Sequence, residues 1–295
     1  MFVYLRKNSK FISTTFAIGI LLAIFFVTVR YRNFGGPELA LAVNADFNYL
    51  EQLFQNEPEV VPTPQPAEVS PVKIPILIYH SVRPYIPEES VMQDRFDITP
   101  ELFEQQLVYL QDHGYSTIGL DELTNDINQG TTTPRTKLVA LTFDDGWRNQ
   151  YKYAFPLLKK YHMTATFYVY TKPVDHENVH YLTWGNIKEM SAAGMTIGSH
   201  SLSHPFFKNS SPADIKKEIF ESKKVIEAEI GKPVQHFAQP FGYSTPEIEA
   251  FIKEAGYITA RGTYRGNLHS KNEIFNLKGY FVSDKLSDFT YIVNR

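Results

Sequence analysis

From Ile74 onward the chain alternates between two hydrophobic rhythms. Short, nearly unbroken apolar runs predict strands buried on both faces: Ile74–Tyr79, Lys137–Phe143, Thr164–Tyr170, Met195–Ser199, His236–Gln239 and Tyr257–Ala260. Between them, apolar residues recur every three or four positions, as on one face of a helix. Thr99-Pro100-Glu101 opens the first helix with an N-cap and a proline at the first helical position; Phe103, Leu107 and Leu110 form its stripe, and Gly114 ends it. A second helix is predicted around Tyr151–Tyr161, interrupted or bent by Pro156. Thr183 caps a third that ends at Gly194. Ser211-Pro212 opens the longest, with Ile215, Ile219, Ile226 and Ile230 inward and Gly231 after it, and Thr245-Pro246-Glu247 opens the last, closed by Gly256.

Strands alternating with helices mean a parallel sheet. The polar residues then fall into place, because they follow the strands: His80 the first, Asp144-Asp145 the second, His200 a later one and Pro240-Phe241-Gly242 another. Chemistry gathered at the C-terminal ends of several strands fits a (β/α) barrel. An open doubly wound sheet would favour one switch point and a glycine-rich loop, and no such loop is present.

Two of these clusters carry most of the chemical information. Thr142-Phe143-Asp144-Asp145-Gly146 puts adjacent carboxylates at a strand end, and His200-Ser201-Leu202-Ser203-His204 puts two imidazoles four residues apart. One carboxylate with two histidines is a complete protein ligand set for a catalytic metal, with a position left for water. The second carboxylate is then free to act as base. The plain alternative for Asp144-Asp145 is a pair of loop aspartates capping the next helix. Ser199, Ser201 and Ser203 are candidates to fix the histidine tautomers. His80, on the same rim, is a candidate general acid, with His269 in reserve. Trp147, Trp184, Phe241 and Tyr243 adjoin these loops and serve either as sugar-stacking faces or as core.

Composition narrows the classes. With 43% hydrophobic residues the chain is not mainly disordered, and a net charge of −3 without a basic stripe gives nucleic-acid binding little support. The absence of cysteine excludes disulfides and thiolate metal sites, so any metal sits on His, Asp or Glu. Phe11–Val29 is 19 residues without a charge, long enough to span a bilayer. It predicts an uncleaved N-terminal membrane anchor (residues 1–32), with a cleaved signal peptide as the competing reading. Pro58, Pro62, Pro64, Pro66 and Pro71 mark residues 33–73 as a juxtamembrane segment and extended spacer, ahead of a catalytic domain over 74–295.

The Thr-Phe-Asp-Asp-Gly and His-Ser-x-x-His motifs resemble the first two signatures of the polysaccharide deacetylases (NodB homology domain, carbohydrate esterase family 4), over roughly residues 74–285. Pro75-Ile76-Leu77-Ile78-Tyr79-His80 and Phe237-Ala238-Gln239-Pro240-Phe241-Gly242 look more like the subgroup acting on poly-N-acetylglucosamine. The resemblance implies a distorted or incomplete NodB-like barrel, Asp144 as catalytic base, and Asp145, His200 and His204 as metal ligands, usually to zinc. It also implies Pro240-Phe241-Gly242 as the loop whose backbone N–H helps form the oxyanion site. Two departures stand out. Ala238 occupies the position where the family usually carries an arginine that orients the base, so another group must take that role or activity is weaker. Leu277-Lys278-Gly279-Tyr280-Phe281-Val282 lacks the usual acid histidine, which in the poly-N-acetylglucosamine subgroup comes from the N-terminal end, where His80 matches.

The expectation is therefore a membrane-anchored, extracytoplasmic N-deacetylase of surface poly-N-acetylglucosamine. A peptidoglycan or chitin-oligomer deacetylase is the alternative within enzymes. A catalytically impaired glycan-binding protein on the same scaffold is the alternative from another class. A glycosidase would need two separated carboxylates flanking the bond, which adjacent Asp144 and Asp145 do not offer.

Overall fold

Seven parallel strands curl around a common interior. The computed structural model describes residues 71–86, 96–129 and 137–295, and the predicted anchor at Phe11–Val29 lies outside them. The strands are β1 (Ile76–Tyr79), β2 (Leu138–Phe143), β3 (Thr166–Val169), β4 (Thr196–Ser199), β5 (His236–Ala238), β6 (Thr259–Arg261) and β7 (Tyr280–Phe281). Pairing runs β7-β1-β2-β3-β4-β5-β6, all parallel. The segment before β7 completes the circuit: Leu277 bridges Arg261 of β6, while Tyr280 and Phe281 pair with Leu77 and Ile78 of β1. The expected barrel is thus present in distorted form, with its seam drawn together by residues 274–282. Ser116–Thr117, a short strand absent from the predicted set, pairs with the start of β2.

Strand side chains alternate between two environments, as a pleated backbone requires. Leu77, Tyr79, Leu141, Phe143, Phe167, Val169 and Phe237 belong to the larger core, beneath the surrounding helices. Ile76, Ala140, Tyr168 and Ala238 belong to a second, smaller cluster, together with Ile118, Leu120, Leu123 and Ile127 from the segment leading into and through helix α2 (below). Tyr168 is the bulky residue of this cluster, and Gly198 stands beside it in register. A Cβ on Gly198 would lie 2.5 Å from the Tyr168 ring, so the glycine is required by space.

Eight helices surround the strands: α1 (Pro100–Asp112), α2 (Leu120–Gln129), α3 (Phe155–Lys160), α4 (Thr171–Asp175), α5 (Trp184–Ala192), α6 (Pro212–Ile230), α7 (Pro246–Glu254) and α8 (Leu286–Val293). The predicted caps are in place. Thr99, Thr183, Ser211 and Thr245 each accept a backbone N–H from the first turn, and Gly231 ends α6 in the left-handed region. The helix predicted at Tyr151–Tyr161 differs. Gln150–Ala154 forms a π-turn, and α3 starts after it with Pro156 in its first turn, where a missing N–H leaves no bond unmade. Sequence periodicity also did not reveal α2, α8 or β7, which are short or carry polar faces. Among the described residues no helix is long and apolar enough to cross a membrane.

Val72–Lys73, expected at the end of the spacer, pair antiparallel with Leu268–His269. His269 is buried there, 2.8 Å from the Ile74 carbonyl through Nε2, away from the catalytic rim. It therefore does not serve as reserve acid. Burial first, opposed by the Ile74 hydrogen bond, pushes its pKa down to about 4. An unfolded histidine titrates near 6.5. The unfolded chain thus binds the proton first as pH falls, and stability drops between pH 6.5 and about 4, by about 3 kcal/mol from this group at the acid limit. Chemical denaturation across this range should show a shallower acid loss in His269→Gln than in the parent chain. Parallel curves would remove His269 as the cause.

Candidate active site

Asp145, His200 and His204 converge. Asp145 Oδ1 lies 3.6 Å from His200 Nε2 and 3.4 Å from His204 Nε2, and the two Nε2 atoms are 3.1 Å apart. The donor set suits a divalent cation. His200 Nδ1 is 2.7 Å from the Ala238 carbonyl, which only accepts, so the proton sits on Nδ1 and the Nε2 lone pair faces the cluster. Burial, then His200, depress His204 to a pKa of about 4, against the pull of Asp145 and Asp144, which keeps this imidazole neutral and available as a ligand. Trp147 Nε1 donates to Asp145 Oδ2 at 3.1 Å and leaves Oδ1 to the cluster.

The loops that present these groups hold unusual backbone. Among the described residues, seven non-glycine residues have positive φ, and four of them are Asp145, Ser201, His204 and Phe241. Such conformations persist where the surroundings over-determine them. For the histidine loop the determinant is Glu218 on α6. Its carboxylate accepts the N–H groups of Leu202 and Ser203, both at 2.9 Å, and the Ser203 hydroxyl at 2.7 Å. Ser201 Oγ accepts the His204 N–H at 2.9 Å, and Ser199 Oγ accepts the Ser201 N–H at 3.2 Å. These serines, expected to fix the imidazole tautomers, shape the loop backbone instead, and the tautomer of His200 is set by Ala238.

Asp144 is buried beside this cluster and faces Arg261, itself 1% exposed. Arg261 Nη2 contacts both carboxylate oxygens, at 2.5 and 2.6 Å, and Nη1 donates to the Gly262 carbonyl at 2.9 Å. Burial alone would raise the Asp144 pKa. Arg261, followed by His200 and His80, overcomes it and holds the carboxyl at about 2, ionised at neutral pH. Arg261 lies in register with Ala238 on the neighbouring strand. The guanidinium therefore comes from one strand further on, over the Tyr168 ring at 5.3 Å, and the small side chain at 238 leaves room. The strand predicted at Tyr257–Ala260 stopped one residue short of it.

His80 stands across from Asp144, with Nε2 4.0 Å from Oδ2, between the rings of Phe96 and Phe281. Burial lowers its pKa, opposed chiefly by Asp144 and Asp145. Gln150, the buried first residue of the π-turn, donates through Nε2 to the backbone carbonyls of His80 and Asp144, at 2.6 and 2.5 Å. Asn149 beside it donates to Ser81 Oγ at 2.7 Å and accepts the Val82 N–H at 3.2 Å. The exits of β1 and β2 are thereby locked together. The only sequence signal for this clamp was the polar Asn-Gln pair ahead of an apolar stripe. Pro240 and Gly242 are buried, and Phe241 is 61% exposed at the cleft. Gly242 needs its glycine twice over, with φ of +68° and a virtual Cβ 2.0 Å from Thr263 Oγ1. His80, Asp144, Asp145, His200, His204 and Phe241 open into one cleft of about 1160 Å³, which Trp147 also lines and Trp184 does not.

A model of the polysaccharide deacetylase family matches residues 131–260. YxkH of Bacillus subtilis (strain 168), named provisionally as a polysaccharide deacetylase, is 31% identical over 217 residues, covering 74% of each chain. The chain belongs to the polysaccharide deacetylase family. It is accordingly an enzyme of that family, whose members are in general metal-dependent, and the Asp145–His200–His204 group is the described cluster able to hold an ion. The poly-β-1,6-N-acetyl-D-glucosamine N-deacetylase of Staphylococcus aureus (strain MSSA476) is 28% identical over 227 residues, covering 70% of this chain and 76% of its own. Among solved structures, the Streptococcus pyogenes deacetylase PplD in complex with acetate superposes with a TM-score of 0.69 at 29% identity, over 74% of this chain and 95% of that one. IcaB from Ammonifex degensii, 24% identical, shares the fold with a TM-score of 0.64 over 76% and 96%.

Two substitutions test this deacetylase site. Arg261→Met leaves Asp144 buried without its counter-charge and should cost about 3–5 kcal/mol in denaturant unfolding; an unchanged unfolding midpoint would show the pair to be dispensable. Gln150→Ala should lower kcat for acetate release about 10- to 100-fold through misplacement of the two facing groups. Metal content, measured by atomic emission, should not move with it, and equal losses of both would assign Gln150 to folding instead.

Proposed function

We propose that the protein hydrolyses the N-acetyl groups of N-acetylglucosamine units in a surface polysaccharide of the poly-N-acetylglucosamine type. The observation that carries this reading is the ionised Asp144, held by buried Arg261, beside the Asp145–His200–His204 donor set and opposite His80. The staphylococcal relative, by its name a poly-β-1,6-N-acetyl-D-glucosamine N-deacetylase, supports the choice of glycan. The apolar run Phe11–Val29 and the proline-rich spacer support an anchored, extracytoplasmic enzyme.

Asp145, His200 and His204 hold a divalent cation, and a set of one carboxylate and two imidazoles fits zinc. When bound, the cation acidifies water and polarises the acetyl carbonyl. Asp144 accepts the proton of the attacking water, and Arg261 keeps its carboxylate ionised and aimed. The Pro240-Phe241-Gly242 loop at the cleft would supply the Phe241 backbone N–H to the oxygen on which negative charge grows. His80, whose imidazolium is favoured against burial by the neighbouring Asp144 and Asp145 carboxylates, gives its proton to the leaving nitrogen as the C–N bond breaks, releasing acetate and a free amine.

Asp144→Asn should lower acetate release from N-acetylglucosamine oligomers about 100- to 10,000-fold with metal still bound, and His80→Ala by at least about 100-fold. Asp145→Ala should lose metal and activity together. Near-normal turnover of Asp144→Asn would overturn the assignment of the base.

A further inference from the structure

One wall of the cleft is cationic, and its charges are not used by the proposed chemistry. Arg148 and Lys152 line the catalytic cleft and also the adjoining hollow of about 570 Å³, where Lys159 joins them. No carboxylate lies within ion-pair distance of these three among the described residues, although Lys160, the next residue, is paired with Glu104. The hollow has one acidic lining residue, Glu189, and its carboxylate accepts the Tyr151 hydroxyl at 2.6 Å. Lys152 and Lys159 lie over the rings of Tyr153 and Phe155, at 4.9 and 5.2 Å. Arg148 Nη1 donates to the Val179 carbonyl at 3.5 Å, so among the described residues the three cations have neutral partners only, and in a chain of net charge −3 a cationic strip without carboxylate partners leading away from the reacting centre is a local exception.

Arg148 is also held in place. Its backbone N–H donates to the His180 carbonyl at 2.9 Å, and the neighbouring Trp147 stacks on Tyr181 at 4.6 Å while donating to Asp145. The strip therefore starts three residues from a ligand of the donor cluster, on a segment tied to it. Guanidinium and ammonium groups in a groove select phosphate or carboxylate oxygens. They also disfavour a sugar that has already lost its acetyl group, because the product amine is protonated and like charges repel.

We infer that Arg148 and Lys152, extended by Lys159, form a subsite for an anionic group, phosphodiester or carboxylate, carried on or next to the N-acetylglucosamine unit being deacetylated. This rests on the deacetylase reading and revises its glycan: an N-acetylglucosamine polymer carrying anionic substituents is preferred to the neutral poly-N-acetylglucosamine homopolymer.

The test uses the full-length protein and three acetylated probes: a neutral β-1,6-N-acetylglucosamine oligomer, the same oligomer bearing glycerol phosphate, and a peptidoglycan glycan strand with its lactyl carboxylates. Acetate release gives kcat/KM for each at low salt and at about 0.3 M salt. At least one anionic probe should exceed the neutral oligomer about tenfold at low salt. That ratio should shrink at high salt and fall towards one in R148S/K152S, with K159S causing a smaller fall. Preference for phosphate or for carboxylate identifies the source of the charge. Equal kcat/KM on all three, or an unchanged ratio in R148S/K152S with intact metal content, overturns the subsite and leaves the deacetylase standing. No acetate from any probe overturns the deacetylase reading itself.

Discussion

The contact between Arg261 and Asp144 is the constraint around which the catalytic rim is arranged. A buried carboxylate would by itself take up a proton, and a protonated Asp144 accepts nothing. A buried guanidinium in contact with both oxygens reverses that preference and brings the pKa to about 2. The arrangement is costly in the other direction too, since Arg261 has no use for burial except this partner, the Gly262 carbonyl and the face of Tyr168. Each group makes the other tolerable. The pair therefore sets where β2 ends relative to β6, across the barrel interior, as well as the charge state of Asp144.

Precision around this pair is supplied by polar side chains that bind backbone rather than one another. Gln150 spans the exits of β1 and β2, and Glu218 gathers the histidine loop, in each case by satisfying main-chain groups that have no partner in a regular ladder. This helps explain how Asp145, Ser201 and His204 keep left-handed backbone without being glycine. Strain at these three positions is held by a few strong contacts from elements that are themselves packed into the core. The π-turn at Gln150–Ala154 belongs to the same logic, because it delivers Asn149 and Gln150 to the strand exits before α3 resumes ordinary geometry.

Much of this was legible from residue order. Apolar runs located the central strands, caps located the main helices, and the Asp-Asp and His-x-x-x-His spacing located groups that the fold brings within 3.6 Å. What escaped has a common physical character. Arg261, Gln150 and Glu218 act through contacts at separations of 117, 70 and 16 residues. No local periodicity encodes such contacts. The boundary of β6 shows how narrow the gap was: hydrophobicity marks a strand up to Ala260, and the next residue is charged, so it reads as a loop. In the barrel that position points inward, where a charge is tolerated because Asp144 waits for it.

The alanine at 238 is then not a lesion. In a parallel sheet, residues in register on adjacent strands point to the same side, about 4.8 Å apart, so an arginine on β6 reaches the space an arginine on β5 would fill. What the chemistry requires is a guanidinium at one place in the interior, and neighbouring strands are interchangeable suppliers provided one of them carries a small residue. Ala238 meets that condition and gains a second use, because its carbonyl sets the proton on His200. The departure from the family pattern that suggested impaired catalysis is, in three dimensions, a relocation of the same charge, and Asp144 and the donor cluster are served by two residues in register across one strand pair.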